Sequence, residues 1–198
     1  MPRKNTRNTR GRIIQAAWKL FYENGYDGTT IEDIIFESQT SRGSFYHYFE
    51  GKDALLGTLA YVFDEKYEAL EKTMDPELTA PLKLMYLNHE LFDMIENSIS
   101  RELLTRLLST QLTASGTRQL LDRNRFYFKF LRKIIREGRA SGELRADLSE
   151  NEMTRTYACW ERALLYDWCL ADGEYSLVAY TDRMTPIFIQ GFVPVKNA

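Results

Sequence analysis

Two cysteines and two histidines are all that these 198 residues contain of the two side chains most used for metal and redox chemistry. Cys159 and Cys169 form no Cys-x-x-Cys motif, and His47 and His89 form no His-x-x-x-His pair. A structural zinc is therefore not expected, nor any other metal or cofactor. The two thiols read as buried, without redox work, in a reducing cytosol. Nor is there an apolar run near the roughly 20 residues that cross a bilayer. The basic start is not read as a signal or transit peptide, because Gln15 and Lys19 break the apolar stretch behind it and the pattern continues as an amphipathic helix. The reading is a soluble cytoplasmic protein with no membrane partner. Alternating apolar and polar residues, internal repeats and low-complexity tracts are all missing, which leaves an all-α class. Ser44 and His47 stand three apart but lack an orienting acid and an oxyanion site, so no enzyme is expected.

Charge is balanced overall, with a formal net of −2, but it is unevenly placed. Between Met1 and Lys19 stand Arg3, Lys4, Arg7, Arg10, Arg12 and Lys19, with no acid among them. Local concentration of base is the footprint of a nucleic-acid module, whatever the average. A minor-groove or phosphate arm is the reading for this start.

From Arg12 onward the chain reads as helix after helix. Ile13, Ile14, Ala17, Leu20 and Phe21 make one apolar stripe, and Gly25 is placed to end it in a left-handed cap. Thr29 and Glu32 have capping-box spacing for a short second helix. Ser41 is placed to cap a third, ended by Gly51, and a fourth is read from about Lys52 to Thr73. Beyond Asp75-Pro76 and Ala80-Pro81, helices are expected at roughly 81–98, 99–113, 117–139, 150–171 and 175–192. Ser149 and Glu152 form another capping box, and Pro186 is expected to kink the last helix.

Two short helices joined by a tight turn, braced by a longer one, describe a helix-turn-helix. Its third helix opens with a cap, a base, a missing side chain and a hydroxyl: Ser41, Arg42, Gly43, Ser44. The first turn of a recognition helix is the part that enters the major groove. Arg42 can offer a forked donor to guanine, and Gly43 lets the backbone come close. Phe45 and Phe49 face inward, leaving Tyr46, His47 and Tyr48 for the DNA side.

The run Thr29-Thr30-Ile31-Glu32-Asp33-Ile34, then Ser41-Arg42-Gly43-Ser44-Phe45-Tyr46-His47-Tyr48-Phe49, then Gly51-Lys52-Asp53-Ala54-Leu55, resembles the signature of the TetR family of helix-turn-helix regulators over residues 10–56. The resemblance implies DNA contacts at Thr30, Arg42, Gly43, Ser44, Tyr46, His47, Tyr48 and Lys52, with Thr30, Tyr48 and Lys52 on phosphates. Three positions depart from the family pattern: Ile35 replaces a small residue, Gln39 a glycine and Thr40 a valine. A left-handed Gln39 costs roughly 1 kcal/mol relative to glycine.

The resemblance also implies a reader at 1–52 and a larger helical domain at 53–198 that dimerises and takes an effector. On the 150–171 helix, Met153, Tyr157, Trp160 and Leu164 form one apolar stripe and Ala158, Leu165 and Cys169 another, so a second subunit is expected against one of them. Leu177, Met184, Phe188 and Phe192 repeat the pattern on the last helix. Tyr86, His89, Phe92, Met94, Phe126, Phe130, Tyr157 and Trp160 are candidates to line a pocket walled by the 81–98, 117–139 and 150–171 helices. Its occupant is expected to be apolar or aromatic, since the sequence shows no cluster of buried charge. The same residues also describe an ordinary core, with His89 a satisfied core histidine. Arg125, Lys129, Arg132, Arg136 and Arg139 read as a solvated basic flank beside Leu121, Phe128, Leu131 and Ile135. The function expected is a homodimeric repressor on a palindromic operator in double-stranded DNA, released by a small molecule. The alternative keeps the fold without the ligand, under control by abundance or a protein partner.

Overall fold

The computed structural model describes residues 6–113 and 118–195, with side chains from residue 9 onward. The described residues contain helices and turns but no strand. They form two compact units: 6–60 with 102–113 and 118–120, and 61–101 with 121–195.

The first unit holds α1 (Thr6–Asn24), α2 (Ile31–Glu37), α3 (Arg42–Tyr48), α4 (Lys52–Leu56) and α7 (Arg101–Thr113, from Glu102 onward). Its core gathers Ile13, Ala17, Phe21, Ile34, Phe45, Phe49, Leu55 and Leu56, and Leu103 of α7 joins them. This compact unit takes in α4 and α7 as well as α1 to α3, and Leu103 of α7 is part of its core. Gly25, at φ +73°, ends α1 in the left-handed region that a side chain disfavours.

Local chemistry corrects the expected boundaries. The capping box of α2 is one residue later than its sequence spacing suggested. Thr30 accepts from the Asp33 amide at 3.1 Å, and Asp33 accepts from the Thr30 amide at 2.9 Å. Thr29 is buried instead, its hydroxyl turned to the carbonyls of Gly25 (2.8 Å) and Leu20 (3.1 Å). The expected fourth helix is two, α4 and α5 (Leu59–Thr73), parted at Gly57 and Thr58. There the Thr58 hydroxyl donates to the Leu55 carbonyl at 2.6 Å and accepts from Trp18 Nε1 at 2.8 Å, an alternative to continued helix.

The second unit contains α5 from Tyr61, α6 (Ala80–Ser98), α8 (Phe126–Ala140), α9 (Glu150–Leu170) and α10 (Leu177–Gln190). Helix α8 starts later than expected, after a separate 3-10 turn at Gln119–Leu121. Asp122 holds that interval by accepting from the Asn124 amide at 2.9 Å, the side-chain turn that aspartate favours. Leu144 packs where a Cβ on Gly138 would stand, 2.9 Å away, and Ala80 Cβ would lie at 2.3 Å. The α6 start and the α8 end therefore meet closely only because residue 138 is glycine. Ser149 and Glu152 complete the capping box of α9, and α10 continues through Pro186.

Four expectations about side chains are overturned here. Arg125 is not part of the solvated flank. It is buried, with Nε and Nη2 on the two oxygens of Asp64, both at 3.0 Å, while the Tyr127 amide donates to the same carboxylate. Lys129 and Arg136 remain exposed, and Leu121 is exposed rather than part of the apolar stripe. Cys159 is exposed and Cys169 half-buried, so neither is a core thiol. The larger unit also buries charge, at Asp64, Arg125 and Glu161, which the apolar reading of its interior did not foresee.

Candidate nucleic-acid interface

The turn between α2 and α3 sets the attitude of the third helix. Gln39 takes φ +51°, the left-handed conformation expected of it, and its amide donates to the Phe36 carbonyl at 3.1 Å. Ser38 and Thr40 share a hydroxyl–hydroxyl hydrogen bond of 2.8 Å across this residue. Ser41 then caps α3, accepting from the Ser44 amide at 3.1 Å. Phe45 is fully buried and Phe49 nearly so, their centroids 5.9 Å apart, and they fix the inner face of α3.

The remaining faces of α3 are open. Arg42, Gly43, Tyr46 and His47 are exposed, and a Cβ built on Gly43 meets only the Ser41 hydroxyl, at 3.9 Å. Arg42 leans over the Tyr46 ring at 5.7 Å and pairs with Glu32 of α2 at 3.1 Å. Such an exposed pair is worth about 0–1 kcal/mol and yields easily to a stronger partner. Ser44 and Tyr48 are half-buried, and Tyr48 packs against the core as well as edge-on to His47 at 4.7 Å. Thr30 is exposed at the start of α2, and its hydroxyl donates to Asp33 at 2.6 Å. These hydrogen bonds hold the Asp33 carboxyl below the ordinary aspartate range.

Lys52 is the site residue whose setting sequence could not give. Its ammonium donates to the carbonyls of Tyr26 at 2.6 Å and Thr29 at 2.8 Å and lies 4.1 Å from the Tyr26 ring centroid. Two of its three N–H groups are thus engaged by backbone carbonyls. The Tyr26 hydroxyl donates to Asp53, and burial followed by that bond pushes the phenol well above its ordinary value. Arg10 lies over Phe49 at 5.7 Å and Arg12 reaches the Gln39 carbonyl at 3.5 Å. Arg3, Lys4 and the side chain of Arg7 lie outside the described residues.

The pocket candidates all lie in the second unit. Phe92, Phe130 and Tyr157 are buried in its core. Phe126 and Met94 are half-buried, with Phe126 against Phe130 at 5.8 Å. Trp160 stacks on Phe188, centroids 4.7 Å apart and planes 7° from parallel. Tyr86 and His89 line an open groove between α6 and α10. His89 pairs with Asp182 at 2.8 Å and is half-exposed, so it is not a core histidine. Asn88 and Glu161 are polar residues missed from the sequence. Each interrupts an apolar stripe, Leu84-Asn88-Leu91-Ile95 and Met153-Tyr157-Glu161-Leu164, and that interruption was the readable signal.

A short capped helix with an inward aromatic pair and an outward row of base, glycine and hydroxyl groups, set by a tight turn against a second helix, defines a helix-turn-helix DNA-binding regulator. The family model described as bacterial regulatory proteins, tetR family, matches residues 13–59. The fatty acid metabolism regulator protein of Bacillus subtilis is 24% identical over 184 residues, covering 91% of this chain and 93% of the relative. The transcriptional repressor DhaR of a Mycobacterium species is 26% identical over 161 residues, covering 79% and 80%. Thermus thermophilus FadR, a TetR-family repressor solved in complex with lauroyl-CoA, superposes with a TM-score of 0.73 at 23% identity, covering 96% of this chain and 97% of that one. Residues 13–59 thus carry the tetR-family DNA-binding module, and the chain is a DNA-binding transcriptional regulator. No helix among the described residues is long and apolar enough to cross a membrane.

Proposed function

We propose that the protein is a cytoplasmic, homodimeric repressor that grips a palindromic operator through α3 and is released when a small molecule occupies its second unit. The observation that carries the DNA reading is the division of α3 into a buried face of Phe45 and Phe49 and an open face of Arg42, Gly43, Tyr46 and His47. Arg42, Tyr46 and His47 read bases or their edges, Gly43 and Ser44 admit the backbone, and Thr30, Tyr48 and Lys52 hold phosphates. In this reading residues 1–52 carry the operator contacts and 53–198 carry assembly and control.

Support for the dimer comes from the outer faces of α9 and α10. Cys159, Ala163 and Leu170 on α9, and Tyr180 and Ile187 on α10, are exposed, Leu170 by 78% and Ile187 by 69%. Exposed apolar groups in helical register on neighbouring elements of one unit mark a face for association. Ala158 and Leu165, from one of the two α9 stripes, are buried within the unit. The ligand step rests on relatives named for fatty-acid metabolism and one structure holding lauroyl-CoA.

The test is selection of binding sites from genomic DNA, followed by anisotropy titration of the enriched duplex. An inverted repeat bound far above random duplex, with affinity falling steeply with salt, is expected. No enriched site, or equal affinity for random duplex, refutes the reading.

A further inference from the structure

The groove between α6 and α10 has a volume of about 350 Å³. Leu82, Met85 and Tyr86 give it an apolar wall, and its polar side is made by Asn88, Thr185 and Asp182. Asn88 and Thr185 are buried to within 2% of completely, so they form a floor rather than a rim. The Thr185 hydroxyl donates to Asn88 Oδ1 at 2.7 Å, and Asn88 Nδ2 donates to Glu161 Oε1 at 3.3 Å. The other Glu161 oxygen accepts from the Tyr127 hydroxyl at 2.5 Å. No lysine or arginine among the described residues forms an ion pair with this buried carboxylate. In the same core the buried Tyr67 hydroxyl has no hydrogen-bond partner. At the open end stands the Asp182 carboxylate, bonded to His89.

We propose that this groove is a binding site for a small organic cation, an amine or quaternary ammonium carried on an aromatic or branched apolar body. The assignment rests on the ligand-release reading above and names the chemical class of that ligand. The apolar wall takes the body, and the Tyr86 ring is available for a cation over its face. The head faces the oxygens of Asn88 and Thr185, with Asp182 at the mouth and Glu161 behind the floor. A buried carboxylate with no cation in ion-pair contact is costly to ionise, and a ligand that supplies such a charge recovers part of that cost. Two carboxylates disfavour the opposite class, so the phosphates of an acyl-CoA have no complement at this groove.

Burial pushes the Glu161 carboxyl up to about 7, against the lowering effect of its hydrogen bonds with Tyr127, Asn88 and Tyr157. The groups facing it are Tyr67 from α5, Asn88 from α6, Tyr127 from α8, and Tyr157 and Arg162 from its own helix, with Thr185 of α10 acting through Asn88. A bound cation favours the ionised form, so binding expels a proton near neutrality and tightens as pH rises from about 6 to about 8.

The experiment is calorimetric titration of the full chain with benzyltrimethylammonium, its neutral carbon isostere neopentylbenzene, and lauroyl-CoA. Expected is a preference of about tenfold for the cation over the isostere, the scale of one desolvated cation interaction. That preference collapses in Glu161→Gln, together with the rise of affinity with pH, whereas Arg136→Gln, on an exposed pair away from the groove, retains both. Asp182→Asn, at an exposed position, weakens the cation about threefold and leaves the isostere unchanged, with circular dichroism checking the fold. Equal binding of cation and isostere, or a preference that survives both carboxylate variants, overturns the cationic assignment while ligand control stands. Lauroyl-CoA binding without the cation does the same. Binding of none of the three overturns the assignment, and ligand control is then judged separately, by whether cell extract releases the operator.

Discussion

Lys52 and Tyr26 are joined twice: the lysine ammonium donates to the tyrosine's own carbonyl at 2.6 Å and lies 4.1 Å from the centre of its ring. The fourth helix is thereby tied to the turn that leads from α1 into α2. A residue whose type suggests a phosphate contact is also a brace of the reader.

Lys52→Ala is therefore expected to act on both stability and binding. Loss of two charge-assisted hydrogen bonds costs roughly 1.5–3 kcal/mol in thermal or urea unfolding, and affinity falls alike for all DNA sequences. Arg42→Ala leaves unfolding within about 1 kcal/mol of wild type, because its Glu32 pair is exposed. It relaxes preference at one base position by about 1–3 kcal/mol. Matching binding and unfolding profiles for the two variants would show that these roles are wrongly assigned.

Gln39→Gly should stabilise the chain by about 1 kcal/mol, since φ +51° strains a residue with a Cβ. The offset is the greater freedom of glycine in the unfolded chain. Urea denaturation measures it. A lower midpoint for the glycine variant would mean that Gln39 makes a compensating contact.

Ile187→Glu and Leu165→Glu separate assembly from folding. Ile187 is exposed, so its variant should be a folded monomer with native helix content that no longer binds operator. Leu165 is 6% exposed, and a charge there should unfold the second unit instead. Sedimentation paired with circular dichroism distinguishes the two. A dimer that persists in Ile187→Glu moves the interface elsewhere.

Arg125→Ala strands Asp64 without its partner at a buried position and should cost about 3–5 kcal/mol. Arg136→Ala, which loses an exposed pair with Glu150, should cost less than about 1 kcal/mol. Raising salt ought to narrow the second difference and leave the first, because buried pairs are poorly screened. Chemical denaturation with urea at two ionic strengths checks this.

Much of the helix order and the inner face of the reader was legible, because both rest on apolar spacing and local caps. Phe45, Phe49 and Ser149 needed no tertiary information. The failures share a cause. Thr29 and Thr30 are adjacent and chemically alike, so only packing against Leu20 and Gly25 decides which one caps. Arg125 continues a basic stripe in sequence, and nothing local reveals that Asp64, sixty-one residues earlier, draws it inward. Lys52 looked like a free cation because its acceptors are backbone carbonyls, which leave no mark in the pattern of side chains. For Leu165 the periodicity showed an apolar face but not which neighbour covers it.

The membership of α7 in the first unit bears on how this regulator can be rebuilt. The polypeptide crosses between the units near residues 60, 101 and 120, not once. Transplanting a new operator specificity by a single cut after residue 60 would graft a foreign α1–α4 onto an α7 selected for another partner. Leu103 would then meet side chains of the wrong shape, and the chimera would lose cohesion before its specificity could be assayed. A graft that carries 102–120 along with 1–60 respects the folded unit. Recognition in this protein is inherited in two pieces.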